Sequence, residues 1–276
     1  MWTLNARGKL LTVESPVIMG VLNRSMDSFY GGSRAGDDDE FLRRAGKLLD
    51  DGADWLDIGG QSTRPGAEVV GDDEELRRLI PAIEKLRREW PDLPVSVDTW
   101  SSRVAGLAVE AGASIVNDVS GGRLDASMLE TVGRLGVPYI CMHMRGTPAT
   151  MNSEAQYDNV VATVLDYFVE RMEACRQAGI HDVILDPGWG FAKMAVHNFR
   201  LLRALPVFRV CGRPLLLGLS RKSTIYRTLG VRPEEALNGS TVLHTIGLLN
   251  GADILRVHDP REAREAVLLV GAYQGA

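Results

Sequence analysis

The chain has 276 residues and a formal net charge of −5, with 45% hydrophobic and 24% charged residues. This length suits one large α/β domain or two ordinary domains. Mild acidity without a Lys/Arg-rich stripe argues against nucleic-acid binding as the main role, and no apolar run approaches the roughly 20 residues of a membrane-spanning helix.

The N-terminal segment MWTLNARGKLLTVES lacks the basic-then-apolar order of a signal peptide. Cys141, Cys175 and Cys211 are odd in number and scattered in apolar surroundings, which indicates reduced thiols and argues against a disulfide framework or zinc site. We therefore expect a cytoplasmic protein. Residues 1–15 predict a short hairpin at the bottom of the fold.

One pattern recurs: a charged amphipathic helix ends near a glycine, a short apolar strand follows, and the strand closes on a polar residue. Residues 50–60 (DDGADWLDIGG) and 177–188 (QAGIHDVILDPG) show it. The glycine suits a left-handed position after a helix. The continuous Val, Ile and Leu content suits parallel strands that are covered on both faces.

Eight strands and the helices between them follow from this pattern. The predicted strands cover residues 16–23, 55–60, 94–99, 114–119, 138–144, 183–187, 214–221 and 253–258. The predicted helices cover residues 37–50, 74–90, 101–111, 157–178, 233–250 and 261–273. This alternation predicts an α/β fold, a (β/α)8 TIM barrel, as a single domain over 1–276 with the barrel at 16–273. The alternative, an open doubly wound sheet, predicts a Gly-x-Gly-x-x-Gly turn after the first strand, and none is present.

Polar side chains concentrate at the C-terminal ends of the predicted strands, where barrels of this kind carry their active sites. They include Asn23, Asp57, Asp98, Asn117, Asp118, His143, Asp186, Lys222, Arg256 and His258. One such residue alone is readily explained as a helix cap or a buried hydrogen-bonding group. The whole set indicates a polar ligand, because burying so many ionisable groups in one mouth is otherwise costly.

Part of this set suits a heterocycle. Asp98, Asn117, Asp186 and Lys222 offer carboxylates, an amide and an ammonium at neighbouring strand ends. Carboxylate and amide oxygens accept from the N–H groups along the edge of an aminopyrimidine-type ring.

Another part suits an anion. Arg64, Arg256 and His258 are cationic donors, and the segment RVHDPREAREA places Asp259 as N-cap and Pro260 as first residue of the last helix. A helix N-terminus after the eighth strand is the usual phosphate corner of these barrels. The two parts together predict a substrate that carries both a ring and a phosphate.

Glycine-rich loops follow the first two strands. They read NRSMDSFYGGSRAG at residues 23–36 and GGQSTRPGAE at residues 59–68. Glycine mixed with Ser, Thr, Asp and Arg is typical of active-site lids, although exposed connections share this composition.

Eight ordered motifs now carry a resemblance: MGVLN with DSF, GGQSTRPG, SVDT, NDVSGG, MHMRGTPATM, DPGWGF, GLSRKS and GADILRVHD. Over residues 16–273 the chain resembles the dihydropteroate synthases, pterin-binding enzymes of folate biosynthesis. The resemblance implies a homodimer that joins p-aminobenzoate to 6-hydroxymethyl-7,8-dihydropterin diphosphate. The products are 7,8-dihydropteroate and pyrophosphate, and Mg²⁺ is required.

The resemblance also implies residue roles. Pterin-binding residues would be Asp98, Asn117, Asp186, Lys222 and Arg256, with apolar walls from Ile115, Met142 and Phe191. Diphosphate-binding residues would be Asn23, Thr63, Arg64, Arg256 and His258, with Asn23 also beside Mg²⁺. The p-aminobenzoate pocket would use Phe29, Ser62, Thr63, Pro65, Lys222 and Ser223. The catalytic set would be Asp98, Asp186, Lys222, Arg256 and Asp27.

The chemistry of these groups predicts a dissociative, SN1-like displacement without a covalent enzyme intermediate. Cationic groups neutralise the leaving diphosphate, while carboxylates favour the pterin cation left behind. His143 and the cysteines are predicted to be core residues.

The chain departs from the family pattern at a few positions. Ser25 and Met26 replace Thr and Pro in the first loop, and Gln61 replaces a usual Glu. Trp189 and Ala192 stand where a smaller apolar residue and Gly are common. Two alternatives stay open: a pterin-binding methyltransferase domain, which needs no diphosphate corner, and a catalytically silent paralogue that binds a pterin or a protein.

Overall fold

The computed structural model describes residues 1–23, 34–61, 70–148, 150–151 and 153–276, and residues 34–38 by their backbone alone. Two antiparallel strands begin the chain, β1 at Trp2–Ala6 and β2 at Lys9–Val13. Their buried side chains Leu4, Ala6, Leu11 and Val13 pack against the lower interior of the barrel. The predicted hairpin at the bottom of the fold is confirmed.

Eight short parallel strands form the main sheet. They are β3 Val17–Val21, β4 Trp55–Gly59, β5 Val95–Asp98, β6 Ile115–Asp118, β7 Tyr139–Met142, β8 Val183–Asp186, β9 Leu216–Leu217 and β10 Ile254–Val257. The strand order is β8-β7-β6-β5-β4-β3-β10-β9. A single bridge from Leu185 to Leu215 brings β8 beside β9, so the barrel is nearly closed. The predicted TIM barrel is confirmed, and each strand lies within its predicted range.

Helices alternate with these strands. They are α1 Arg34–Asp50, α2 Asp72–Glu89, α3 Ser102–Glu110, α4 Met128–Leu135, α5 Val160–Gln177, α6 Ala195–Arg203, α7 Ser223–Leu229, α8 Leu237–Leu249 and α9 Pro260–Gln274. The short helices α4, α6 and α7 have no counterpart among the predicted ones. Residues 233–250, predicted as one helix, form a 3-10 turn at Pro233–Glu235 and then α8. None of the helices in the described part of the chain has the length and apolarity to cross a membrane.

The alternation of side chains along the strands positions the site. Inward-facing Met19, Ile115, Ile140, Ile184, Leu216 and Ile254 form one apolar layer with the hairpin. Because a strand repeats every two residues, the next inward positions are Asn117, Met142, Asp186 and Arg256, at the C-terminal ends. The barrel interior is therefore apolar below and polar at its mouth.

The hairpin gives a stability test with neighbouring residues as a matched pair. Leu11 is 7% exposed and packs under the barrel, whereas Leu10 is 65% exposed. We expect Leu11→Ala to lower the free energy of unfolding by about 2–4 kcal/mol through the cavity it leaves. Leu10→Ala should change it by less than about 0.5 kcal/mol. Urea denaturation measures both, and equal effects would contradict the packing of the hairpin.

Candidate active site

A half-buried arginine joins the strand ends at the centre of the mouth. Arg256 on β10 donates from Nε to Asp57 Oδ2 at 2.6 Å and from Nη2 to Asp98 Oδ2 at 2.9 Å. Asn117 Nδ2 donates to the same Asp57 Oδ2 at 3.2 Å. Burial alone would lower the pKa of Arg256, but the two carboxylates raise it. The cation is therefore held between β4 and β5.

Asp57 has no ligand role in the sequence interpretation, yet it organises this network. Its carboxylate is fully buried and accepts from both Arg256 and Asn117. The polar end of β4 was visible in the sequence, but its partners lie 60 and 199 positions away.

One carboxylate oxygen of Asp98 is free to accept a hydrogen bond from a ligand. Within the described residues its Oδ1 is buried without a hydrogen-bond partner. Burial, opposed by Arg256 and reinforced by Asp57, raises the pKa of Asp98 to about 7. Buried acceptors are normally satisfied, so an unpartnered one in a polar mouth fits an N–H donor from a ligand.

Asp186 and Lys222 face each other across Gly218. A Cβ atom on Gly218 would lie 3.8 Å from Lys222 Nζ and 3.9 Å from Asp186 Oδ2. Lys222 donates to the Trp189 carbonyl and lies 4.8 Å from the centroid of the Phe191 ring. Burial lowers the pKa of Lys222 to about 8, although Asp186 opposes the shift. Burial likewise raises the pKa of Asp186, which Lys222 opposes.

Apolar side chains line one side of this pocket. Met142 and Phe191 pack in one cluster with Val119, Met144, Met151, Ala192 and Trp100. Ile115 lies one layer deeper, two residues below Asn117, among the inward side chains over the hairpin. The predicted walls thus divide into two side walls and a floor.

The predicted anion corner lies beside Arg256. The His258 backbone N–H donates to Ser220 Oγ at 3.2 Å, and His258 Nδ1 lies 3.1 Å from the same oxygen. Although His258 is an exposed residue, desolvation of its ring and the Arg256 charge lower its pKa to about 4. The lowered pKa favours the neutral imidazole of His258 in the absence of an anion. Asn23 is exposed nearby, with its Oδ1 3.1 Å from where a Cβ on Gly59 would lie.

The predicted start of α9 is confirmed: Asp259 occupies the N-cap position and Pro260 follows as the first helical residue. The Asp259 side chain makes no capping hydrogen bond. Its carboxylate instead accepts from Arg221 Nε at 2.7 Å and from Nη2 at 2.8 Å. A bidentate, charge-assisted pair outcompetes a single capping bond.

Several residues predicted to bind p-aminobenzoate or the diphosphate belong to the first two loops. Asp27, Phe29, Ser62, Thr63, Arg64 and Pro65, with the Ser25-Met26 replacement, lie outside the described residues. Ser223 is the half-buried first residue of α7, directly after Lys222. The roles given to these and the other site residues stay predictions.

Two strand-end residues belong to the scaffold. Asp118 accepts from Ser120 N and Oγ, Gly122 N and Tyr139 OH, each at 2.7 Å, and so organises the turn after β6. His143 is buried as predicted.

A buried acid on α2 was missed in the sequence. Glu75 is 1% exposed, and its Oε2 accepts from Gln61 Nε2 at 3.1 Å. Burial, reinforced by the charges of Asp98 and Asp72, raises the pKa of Glu75 to about 7. The amide at position 61 therefore faces an acid that is largely protonated below neutral pH. Another acid at that position would add a second buried carboxyl group.

The described residues could bind a magnesium ion only together with a substrate that supplies further oxygen ligands. No group of three His, Cys, Asp or Glu residues that could hold a metal occurs in the described ranges. Mg²⁺ usually keeps several waters and is bound by few protein oxygens together with substrate phosphates. The single amide oxygen of Asn23 fits an ion that arrives with a diphosphate.

Comparison with known proteins agrees with this geometry. The model of the pterin-binding enzymes matches residues 19–258. The chain belongs to the pterin-binding enzyme family.

Individual members of the family are similar over nearly the whole chain. The dihydropteroate synthase of Escherichia coli (strain K12) is 40% identical over 275 residues, covering 99% of this chain and 97% of that protein. The Xanthomonas albilineans dihydropteroate synthase with 4-aminobenzoic acid has a TM-score of 0.90 at 40% identity, covering 99% and 98% of the two chains. The same organism's enzyme in complex with 7,8-dihydropteroate has a TM-score of 0.86 at 37% identity, covering 99% of each chain.

The buried Glu75 predicts a pH-dependent stability. Because its native pKa lies above the ordinary 4.5, the native state holds the proton more tightly. Stability should therefore fall as pH rises from about 4.5 to 7. We expect Glu75→Gln to be more stable than the parent at pH 8, by on the order of 2–3 kcal/mol, with a smaller difference at pH 5.

Urea denaturation of both proteins between pH 5 and pH 8 measures this difference. Glu74→Gln is the control, since its pKa is lowered by Arg78 and Arg77 and its loss should reverse the sign. Parallel pH profiles for Glu75→Gln and the parent would contradict the buried-acid interpretation.

Proposed function

We propose that this protein is a dihydropteroate synthase. It condenses 6-hydroxymethyl-7,8-dihydropterin diphosphate with p-aminobenzoate, giving 7,8-dihydropteroate and pyrophosphate in folate biosynthesis. The observation that carries the proposal is the unpartnered Asp98 Oδ1, set in a polar mouth beside the Arg256 and His258 corner. Relatives of this fold are described in complex with 4-aminobenzoic acid and with 7,8-dihydropteroate.

The ring of the pterin suits the inner part of the mouth. Asp98 and Asp186 accept from its N–H groups, and Asn117 supplies an amide held by Asp57. Lys222 donates to acceptor atoms of the ring, while Met142 and Phe191 cover its faces. The N–H groups of the pterin ring can donate to these buried acceptors. The hydrogen bonds then offset the cost of burying the acceptors.

The diphosphate suits the outer part. Arg256 and His258 donate to its oxygens as the C–O bond breaks, and one preorganised donor of this kind is typically worth about 3–4 kcal/mol. Mg²⁺, held beside Asn23 and by the substrate, would supply further positive charge to the leaving group. The carboxylates Asp98 and Asp186 favour the pterin cation that remains. The aniline nitrogen of p-aminobenzoate then attacks, in an SN1-like displacement.

The alternatives have less support. A methyltransferase domain needs no diphosphate corner, and the donors of Arg256, His258 and Ser220 at neighbouring strand ends support such a corner. A silent paralogue would be expected to lose one of the mouth residues, and all those in the described ranges are brought to one end of the barrel.

A homodimer and a cytoplasmic location also belong to the proposal. Exposed apolar side chains on α8 and α9 support a subunit contact: Val242, Ile246, Leu249, Leu268, Leu269 and Tyr273. Those on α8 are spaced to share one helix face. The three free cysteines support a reducing compartment.

The deciding experiment is pyrophosphate release by the purified protein. We expect release that needs pterin diphosphate, p-aminobenzoate and Mg²⁺ together, and competition by a sulfonamide against p-aminobenzoate. Lys222→Met should lower kcat/KM by at least about a hundredfold, because it removes a buried donor at the reacting site.

Lys9→Met is the matched control, because Lys9 lies on the hairpin and pairs with Asp92 at 2.8 Å. It should leave the turnover within about twofold of the parent. Release without p-aminobenzoate, or parent-like turnover by Lys222→Met, would argue against the synthase and this role.

The proposed dimer predicts that Ile246→Glu on α8 gives a monomer in sedimentation velocity, because it places a charge in an apolar contact. Val169→Glu, at a 57% exposed position on α5, should leave the dimer intact. A parent that sediments as a monomer would refute the dimer.

A further inference from the structure

Lys193 is a buried lysine to which the mechanism above assigns no role. It follows the DPGWGF segment after β8 and is 8% exposed. Within the described residues its hydrogen bonds go to His143 and Phe191, and it makes no ion pair with a carboxylate. Lysine is rarely buried without such a partner, because desolvating the ammonium is costly. Its burial therefore calls for a compensating interaction.

Three acceptors surround its nitrogen. Lys193 Nζ lies 2.9 Å from His143 Nδ1, 3.3 Å from the His143 carbonyl oxygen and 3.1 Å from the Phe191 carbonyl oxygen. Burial lowers the pKa of Lys193 well below its ordinary value, although Asp186 opposes the shift. The three acceptors match the three donors of the ammonium form and so compensate part of this cost. Burial and the nearby Lys193 lower the pKa of His143 to about 2, which keeps the ring neutral and its Nδ1 able to accept.

These acceptors belong to both sides of the pterin pocket. His143 directly follows β7, and its backbone N–H donates to the Asp186 carbonyl at 2.9 Å. Phe191 lies in the loop after β8, with its ring against Lys222. The lysine thus connects the end of one strand to the loop that follows its neighbour.

The same loop is fixed at a second point. Gly188 has φ +77°, and a Cβ atom there would lie 1.8 Å from the His143 carbonyl oxygen and 3.0 Å from Lys193 Nζ. Its backbone N–H donates to Asp186 Oδ1 at 2.7 Å. The chain between Gly188 and Phe191 is therefore held by Asp186 at one end and by Lys193 at the other.

We propose that Lys193 is a positioning residue for the pterin half of the active site. By holding the Phe191 carbonyl against the end of β7, it keeps the Phe191 ring over the pocket and orients the loop that binds the Asp186 carboxylate. It acts through these groups and does not touch substrate. The inference rests on the proposed synthase function, and it predicts an effect that is confined to one of the two substrates.

The test is Lys193→Met, which keeps the length and removes all donors. We expect its KM for pterin diphosphate to rise at least about tenfold, equivalent to about 1.4 kcal/mol. Its KM for p-aminobenzoate should stay within about twofold of the parent value. Its kcat should fall by a smaller factor than its kcat/KM for pterin diphosphate. Calorimetric titration with pterin diphosphate should show the same weakening. An unchanged pterin KM, or equal rises in both KM values, would overturn the proposal.

Two further variants separate positioning from folding. His143→Phe removes the ring acceptor and keeps both carbonyls, so it should raise the pterin KM selectively but by less, and it remains a test if Lys193→Met does not fold. His197→Phe changes a nearby ring that packs on Tyr157 and should leave both KM values unchanged. A parent that binds pterin diphosphate without turnover would refute the synthase, while calorimetry on the variants would still decide the role of Lys193.

Discussion

The ion pairs of Arg256 with Asp57 and Asp98 are the constraint on which the mouth of the barrel depends. A half-buried cation between two buried acids is tolerable because each charge has a partner at hydrogen-bonding distance. One hydrogen-bond acceptor of this arrangement stays unpaired, because Asp98 Oδ1 has no partner in the described residues. A scaffold that satisfied every group would have no reason to bind a polar ligand. This one is stable enough to form and still has an acceptor for a ligand donor.

The apolar layer below makes these interactions effective. Met19, Ile115 and their inward neighbours close the barrel from beneath, together with the N-terminal hairpin. Among the described residues this layer covers the lower side of the charged groups, and the lower local polarity strengthens each hydrogen bond made there. The same burial explains the opposite pKa shifts of Asp186 and Lys222, since each charged form loses solvation and is partly compensated by the other.

The fold and the position of the site could be predicted from the sequence because both depend on local patterns. Apolar runs that end on a polar residue specify a parallel strand and its C-terminal end at once, as at Asp98 and Asp186. Contacts between distant residues could not be predicted this way. The sequence correctly places Asp259 at the N-cap of α9, but it does not show that Arg221, 38 positions earlier, binds the carboxylate. Glu75 lies in a polar context along the chain and Lys193 in an apolar one, and only packing shows that both charged residues are buried.

The departures from the family pattern around β8 show how local strain is accommodated. Ala192, where Gly is common, has φ +49°, a conformation that costs an alanine on the order of 1 kcal/mol. On one side of it Trp189 is fully buried, and its indole N–H donates to the Leu216 carbonyl at 3.1 Å. That bond lies at the seam where β8 and β9 share only one bridge, so the larger side chain reinforces the weakest junction of the barrel. On the other side Lys193 holds the Phe191 carbonyl. Because the strained residue lies between two anchors, the loop keeps its path, and the Trp189 carbonyl stays in place to accept from Lys222.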